Sequence, residues 1–255
     1  MSATDLITTE LTLTGRIRTA SNATFVGTIG EVSVVYKPIA GEAPLWDFLD
    51  GTLANREVAA YLVSQALGWD VVPRTWLRDG PFGHGMVQVW QEPDPDLSAV
   101  DLVETDQAPE SGWKHVLEGR DEDGRSVTLL HEDSPALRRI AVFDLIVNNA
   151  DRKGNHILAM TDGHRFGVDH GLTFHTEHKV RTVLWGWLDE TLSSEELDGV
   201  ERVGAGLRGE LRKDLAGLVS AEEIEALGVR CARLRETRQF PTPAGQVPAV
   251  PWPLF

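Results

Sequence analysis

Two aspartates in the second half of the sequence stand where apolar segments end. Asp151 opens the polar loop 151–156 after a long apolar run, and Asp169 ends the apolar segment 166–169 before a glycine-containing turn. A strand, a turn and a second strand fit between them, so a hairpin can bring both carboxylates to one rim. Carboxylate oxygens that face one another suit Mg²⁺, which combines protein carboxylates with phosphate oxygens.

A lysine and a glutamate in the first half of the sequence complete this set. Lys37 closes the β-branched segment 29–39, and Glu57 lies near the start of the helical segment 54–68. Phosphoryl transfer requires one aspartate to orient the attacking hydroxyl and a second to hold the metal. It also requires a lysine on the nucleotide phosphates, itself held by a glutamate. The order strand lysine, helix glutamate, loop aspartate and Asp-x-Gly is the order found in kinases.

The elements that must position the first two residues follow from the hydrophobic pattern. Alternating and β-branched residues predict strands within 10–40, over 71–79 and over 85–92. Apolar residues at helical spacing predict a helix over 54–68 that ends at Gly68. Residues 1–92 therefore form a small sheet with one helix packed on it, which is a first lobe.

The second lobe is predicted over residues 93–240. It starts with the acidic, proline-containing stretch 93–112, which is typical of a linker or flexible insertion. A helix over 134–149 begins with Ser134 as N-cap and Pro135 at its first position. Two strands follow the loop, the remainder to about residue 238 is mostly helical, and the proline-rich tail 241–255 is extended.

The motifs, taken in order, resemble those of a known family. They are 35-VYKP-38, 56-REVAAYLVSQALGWDVVPRT-75, 86-MVQVWQE-92, 151-DRKGNHIL-158, 168-VDHGLTF-174 and 185-WGWL-188. This set resembles the phosphatidylinositol 3-/4-kinase-like family of the kinase superfamily, and type II phosphatidylinositol 4-kinases most closely. HipA-like kinases share much of the same plan. The resemblance spans roughly residues 20–190 and implies a two-lobed, protein-kinase-like α+β fold.

The resemblance also implies roles for single residues. Lys37 would contact the α- and β-phosphates of ATP, and Glu57 would pair with it. The backbone near Trp90 and Gln91 would hold the adenine. Asp151 would be the catalytic base or would orient the acceptor hydroxyl, and Asp169 would be the main Mg²⁺ ligand.

Two loops depart from the family pattern. The phosphate loop near residues 20–27 lacks a GxGxxG pattern, so Ser21, Asn22 and Thr24 would have to offer hydroxyls and amides instead.

The catalytic loop is the second departure. The family places an asparagine, its second metal ligand, five residues after the aspartate, where this sequence has His156; Asn155 stands one residue earlier. Either Asn155 swings in, which we favour, or His156 is the ligand, which raises the prospect of a preference for Mn²⁺ over Mg²⁺. Arg152, as an exposed loop charge, could attract an acceptor phosphate or the transferred phosphoryl group.

Composition limits the partners. The formal net charge of −15 disfavours nucleic acid as a partner. Cys231 is the only cysteine, which excludes an intramolecular disulfide and a thiolate zinc cluster within the chain. The start of the sequence has no signal-peptide pattern and no apolar run approaches the roughly 20 residues of a membrane span, so we expect a cytoplasmic protein without integral membrane association.

The sequence leaves the acceptor and the activity open. The acceptor hydroxyl could belong to a phosphoinositide, to a protein Ser/Thr or to a small molecule. The lack of a polybasic patch or a cysteine-rich acylation segment argues against the lipid. The alternative function is a nucleotide-binding pseudokinase that acts as a regulatory module, which the displaced asparagine and the glycine-poor phosphate loop favour. The oligomeric state has no signature in the sequence.

Overall fold

The computed structural model describes residues 3–18, 22–43, 45, 48, 53–243 and 248–255. Its strands are β1 (Leu11–Ile17), β2 (Thr24–Ile29), β3 (Val32–Pro38), β4 (Thr75–Gly80), β5 (Gly83–Val89), β6 (Val100–Glu104), β7 (Trp113–Arg120), β8 (Ser126–Glu132), β9 (Ile157–Ala159) and β10 (Arg165–Gly167). Its helices are α1 (Ala3–Thr8), α2 (Leu53–Leu67), α3 (Pro135–Val147), α4 (Ser194–Gly206), α5 (Glu210–Leu215) and α6 (Ala221–Thr237).

The first lobe is built on an antiparallel sheet with the strand order β1-β2-β3-β5-β4. Burial alternates along β3, so Val34 and Tyr36 lie in the core while Lys37 projects from the opposite face. The same alternation fixes the register of β3 against β5, in which Lys37 pairs with Met86. The strand pattern of the sequence thus places the lysine on the cleft face of the sheet.

Helix α2 joins the two lobes. It packs against β4 and β5 of the sheet on one side and against α4 and α5 on the other. Its first backbone amides, those of Leu53 and Ala54, donate to the Glu42 carboxylate at 2.9 and 2.8 Å, which caps the helix from outside its own sequence. Because α2 is fixed at both faces, Glu57 is held 2% exposed beside the cleft.

The stretch 93–112 was predicted to be a linker, and the structure corrects this in part. Residues 100–104 form β6, which pairs with β8 in a three-stranded antiparallel sheet of order β6-β8-β7. Val100 and Leu129 from these strands are buried in the main core. The flanking acidic and proline residues hide this short strand in the sequence, because only pairing with β8 makes it a strand.

The second lobe is mostly helical. Ser134 caps α3 by accepting from the Leu137 amide at 3.1 Å, and Pro135 occupies the first turn, as predicted. Helix α3 is buried along most of its length, and α4 and α6 each begin with a capping box. The predicted α+β architecture, with a β-rich first part and a mostly helical second part, is confirmed by this arrangement.

The helices of the described residues contain no segment that combines the length and the apolar character needed to cross a membrane.

His131 on β8 is buried in the core beneath the second sheet. Its ring packs at a tilt of 43° against Trp187, with ring centroids 4.1 Å apart. The Nδ1 atom lies 2.9 Å from the Glu132 carbonyl, and Nε2 accepts from the Gly186 amide at 3.0 Å. A carbonyl can only accept, so Nδ1 carries the proton and the ring is neutral. Burial lowers the pKa of His131 to about 4.

We expect His131 to make the stability of the fold depend on pH. Its stabilising contribution is fully present above the unfolded pKa of about 6.5 and is lost as the pH falls toward the folded pKa. The free energy of unfolding should therefore fall by up to about 1.4 kcal/mol per pH unit from this group in that window. Urea unfolding of His131→Gln, which cannot titrate, should show a shallower slope against pH. The exposed His115→Gln is the matched control, and an equal slope in both variants would contradict this assignment.

Candidate active site

Lys37 lies between two carboxylates at the back of the cleft between the lobes. Its Nζ atom donates to Glu57 Oε1 at 2.7 Å and to Asp169 Oδ1 at 2.9 Å. The other oxygen of Glu57 accepts from the backbone amide of His170 at 2.9 Å. Strand β3, helix α2 and the loop after β10 are thus tied to a single ammonium group.

The pKa values of this trio reflect their mutual attraction. Burial works against the charged ammonium, but the carboxylates of Asp169 and Glu57 outweigh it and raise the pKa of Lys37. The Lys37 charge is the main reason that the pKa of Asp169 is lowered, and Asp169 stays ionised. Desolvation raises the pKa of Glu57, although Lys37 opposes this. The lysine is therefore a permanent cation.

Asp151 stands on the second-lobe side of the same cleft. Its backbone amide donates to Asn149 Oδ1 at 3.0 Å, and the Asn149 amide group donates to Asp144 at 2.9 Å. Burial raises the pKa of the Asp151 carboxyl group, and the nearby Lys153 ammonium, 3.4 Å from Oδ2, lowers it. The result is a carboxylate more basic than usual, held on a braced loop.

Arg152 was predicted to be an exposed charge near the phosphates, and this prediction is wrong. The side chain is fully buried and forms a bidentate pair with Asp144 of α3, at 2.8 and 2.9 Å. It also donates to the carbonyls of His156 and Val168, at 3.0 and 3.2 Å. Arg152 therefore points away from the cleft and holds the loop 151–156 against the core. Its partner Asp144 could not be identified from the sequence, because Asp144 lies within an apolar helix.

The two candidates for a second metal ligand lie in different surroundings. His156 Nδ1 is 2.9 Å from the Asp151 carbonyl, so Nδ1 carries the proton and Nε2 has a free lone pair. That Nε2 atom lies 3.5 Å from Asp169 Oδ2, and burial lowers the pKa of His156 to about 4. Two acceptor atoms thus face each other, which suits a cation between them. Asn155 is exposed and lines the cleft.

The donor set differs from that of a preformed metal cage. Within the described ranges, no group of three or more His, Cys, Asp or Glu side chains could hold a metal ion without other ligands. A carboxylate and an imidazole nitrogen that need phosphate oxygens to complete the shell fit a divalent ion that arrives with a nucleotide. The residues present are therefore compatible with the predicted metal.

The cleft itself has a volume of about 490 Å³, within the range of small-molecule sites. The predicted residues that line it are Asn22, Thr24, Lys37, Trp90, Gln91, Asp151, Asn155, His156 and Asp169. Sequence reasoning missed the residues that form its apolar walls and its far side, namely Ile17, Val35, Pro73, Leu158, Val168, Pro253 and Phe255. The lining also includes Gln88, Val89, Pro93 and Lys153. Alternation along the strands could have identified Val35, which flanks the buried Val34 and Tyr36.

The predicted phosphate loop is described only in part, because Ser21 lies outside the described residues. Asn22 Oδ1 accepts from the Ala43 amide at 2.8 Å, so this side chain braces the neighbouring loop. Thr24 is buried, and its hydroxyl donates to the Asn22 carbonyl at 3.2 Å. Both side chains therefore have intramolecular partners.

The predicted hinge follows β5. The backbone amide of Trp90 donates to the Ser33 carbonyl at 2.9 Å, and its indole donates to Glu92 at 2.8 Å. Because the Trp90 amide already donates to Ser33, the groups that can form hydrogen bonds in the cleft are the backbone of Gln91 and the carbonyl of Trp90. Gln88, just before them, is turned inward and donates to the Thr75 hydroxyl at 2.9 Å.

We expect Arg152 to stabilise the fold. Arg152→Met leaves the buried Asp144 carboxylate without a countercharge, which should lower the free energy of unfolding by about 3–5 kcal/mol. Arg152→Lys should restore only part of this, because an ammonium cannot make the bidentate pair. Lys153→Met, whose ion pair is partly exposed, is the control and should change it by at most about 1 kcal/mol. Urea unfolding would measure all three, and equal midpoints for Arg152→Met and the wild type would contradict this role.

Comparison with known proteins gives one curated relative. Protein Rv2133c of Mycobacterium tuberculosis (strain ATCC 25618 / H37Rv) is 51% identical over 259 residues, which cover 96% of this chain and 92% of that protein. Among solved structures, a Helicobacter pylori proinflammatory kinase, CtkA, aligns over 92% of this chain and 94% of its own, with a TM-score of 0.48 and 12% sequence identity. No protein-family model matches the chain. On the strength of the high identity over nearly its full length, the chain belongs to the same family as Protein Rv2133c.

Proposed function

We propose that this protein is an ATP- and divalent-metal-dependent phosphotransferase of the phosphatidylinositol 3-/4-kinase-like type. It would transfer the γ-phosphoryl group to a hydroxyl. The observation that carries the proposal is the Lys37 ammonium, held between Glu57 and Asp169 at 2.7 and 2.9 Å and facing Asp151 across one cleft. Four residues far apart in the sequence meet in the arrangement that phosphoryl transfer requires.

The nucleotide would lie with its base between the apolar walls and its phosphates toward Lys37. Val35, Leu158 and Val168 provide apolar surface on both sides of the cleft. The backbone groups of Gln91 and the Trp90 carbonyl would hold the base edge. Lys37 would neutralise the α- and β-phosphates, and Glu57 keeps its ammonium in place.

The divalent ion would be held by Asp169 together with His156. The neutral Nε2 atom of His156 and the Asp169 carboxylate face each other at 3.5 Å. The positive charge of a Mg²⁺ or Mn²⁺ ion held by these two residues would offset the negative charge that develops during transfer. Imidazole suits transition metals better than Mg²⁺, which favours Mn²⁺ at this position.

Asp151 would orient the acceptor hydroxyl and receive its proton. The hydroxyl oxygen forms a bond to the γ-phosphorus, the bond from that phosphorus to the bridging oxygen breaks, and ADP leaves. The raised pKa of Asp151 supports this role, because a more basic carboxylate accepts a proton more readily. The Lys153 ammonium, 3.4 Å from Asp151 Oδ2, would attract the transferred phosphoryl group.

A pseudokinase remains the second candidate. It is favoured by the position of Asn155, which is exposed, and by a phosphate loop whose described residues Asn22 and Thr24 bind to neighbouring groups of the protein. Nucleotide binding without any transfer would decide for it.

Three substitutions should separate binding from catalysis. Asp151→Asn should lower kcat by about 10²–10⁴-fold with ATP binding intact, because only the proton acceptor is lost. Lys37→Met should lower kcat/KM by at least about 10²-fold, because the phosphates lose their cation. Asp169→Ala should abolish metal-dependent turnover. ATP consumption and calorimetric nucleotide binding would be measured together, with Lys213→Ala as the control, because Lys213 is exposed on α5 and is absent from the cleft lining. If Asp169→Ala leaves ATP turnover unchanged, the proposed phosphotransferase activity is refuted.

The identity of the second metal ligand has its own test. His156→Ala should weaken the apparent Mn²⁺ affinity roughly 10-fold or more, by analogy with the loss of metal-site partners. Asn155→Ala is the matched control one residue earlier and should leave it unchanged. Activity would be titrated with Mn²⁺ and with Mg²⁺ at saturating ATP. If His156→Ala leaves the apparent Mn²⁺ affinity unchanged while Asn155→Ala weakens it, the second ligand is Asn155 instead.

A further inference from the structure

Residues 248–255 run alongside the catalytic loop. The Ala249 carbonyl accepts from the Thr182 amide at 3.1 Å and from the Trp185 indole at 2.7 Å. At the other end, the Leu254 carbonyl accepts from the Gly154 amide at 2.8 Å. Arg152 forms a parallel bridge with Thr182, so these contacts lie on both sides of the loop that carries Asp151.

Gly154 is the loop residue against which the end of this segment packs. A Cβ atom at position 154 would overlap the Phe255 ring, so a larger residue there would require the ring to move. The ring therefore covers the backbone of the catalytic loop, and Phe255 and Pro253 line the same cleft as Lys153 and Asn155.

The segment is fixed by packing as well as by hydrogen bonds. Pro251 is buried, and the side chains of Ala249, Val250 and Leu254 pack against the main core. Trp252, in contrast, is 85% exposed. A stretch anchored at four apolar positions and by three hydrogen bonds is part of the folded lobe.

This packing bears on the acceptor. A protein segment can bind in extended form by pairing with free backbone donors. Here the amides of Thr182 and Gly154 already donate to residues 249 and 254. The surface where a protein chain would present its hydroxyl to Asp151 is therefore covered.

We propose that residues 248–255 form a fixed wall on the acceptor side of the cleft and restrict the acceptor to a small hydroxyl compound. The inference rests on the proposed phosphotransferase function. The wall offers the Phe255 ring and Pro253, and the polar groups of Asp151, Lys153 and Asn155 stand nearby. This combination fits a compact polyhydroxylated molecule, whose C–H face packs on the ring while its hydroxyls meet the polar groups. Phe255 is the specificity-determining residue.

The wall can be tested without any activity, by amide hydrogen exchange of the full chain. The amides of Gly154 and Thr182 should both exchange slowly. Phe255→Ala should raise the exchange rate at Gly154 about tenfold and leave Thr182 unchanged. Trp252→Ala, in the same segment but exposed, should change neither. Exchange at Gly154 in the wild type as fast as in an unstructured peptide would overturn the proposal.

The acceptor class is tested by the transfer of labelled phosphate from ATP. Three probes are supplied separately: a mixture of glucose, myo-inositol, glycerol, L-serine and adenosine combined with the low-mass fraction of a bacterial extract, dephosphorylated casein, and phosphatidylinositol–phosphatidylcholine vesicles. Label should enter only the first. Label in casein or vesicles, or in none of the three while ATP binds, would overturn the small acceptor. Absence of ATP binding would instead reject the proposed function itself.

The role of Phe255 follows from kinetics with the small molecule that accepts label. Phe255→Ala should raise the KM for that acceptor about tenfold or more and change the KM for ATP less, because the ring contacts the acceptor. Trp252→Ala should leave both values unchanged. A rise in the KM for ATP alone would show that the ring packs on the nucleotide, and would overturn its role in acceptor choice.

Discussion

The ammonium of Lys37, bound to Glu57 and Asp169, is the interaction on which the rest of the structure depends. It links a strand of the first lobe, the helix that joins the lobes and the loop of the second lobe through one charge. Glu57 is almost completely buried, and without Lys37 its carboxylate would lie in the interior with no countercharge, at a cost of several kcal/mol, about 3–5 for pairs of this kind. The geometry of the cleft therefore follows from the electrostatics of a single cation.

A second charge pair, Arg152 with Asp144, fixes the loop 151–156 against helix α3. Arg152 and Asp144 are fully buried, while their neighbours Asp151 and Lys153 line the cleft. Alternate residues of the loop thus point into the core and into the cleft, so the buried guanidinium orients the residues on either side. A loop held at its underside by a bidentate pair loses little conformational entropy when a ligand binds, which favours pre-organised contacts.

The charge of the whole chain and the charge of the cleft differ. The formal net charge is −15, yet the cleft holds the ammonium groups of Lys37 and Lys153 among its acidic residues. In the proposed function, a phosphate group would meet these local cations at short range, where they are screened less than the distant surface charge. The acidic surface disfavours long polyanions, whereas a single nucleotide with its metal ion is compatible with it.

The sequence by itself determined the order of the elements and the positions of the charged groups at their ends. The alternation along β3, the caps of α3 and the polar loop after it place Lys37 and Asp151 at element boundaries, and these features are local. The motifs also predicted that Lys37 pairs with Glu57, but only the tertiary structure decided the remaining contacts. The partner of Arg152 lies inside an apolar helix, β6 exists only through its pairing with β8, and Phe255 reaches Gly154 because packing brings the segment back. Such contacts join residues far apart in sequence, and their energies depend on desolvation, which no local pattern records.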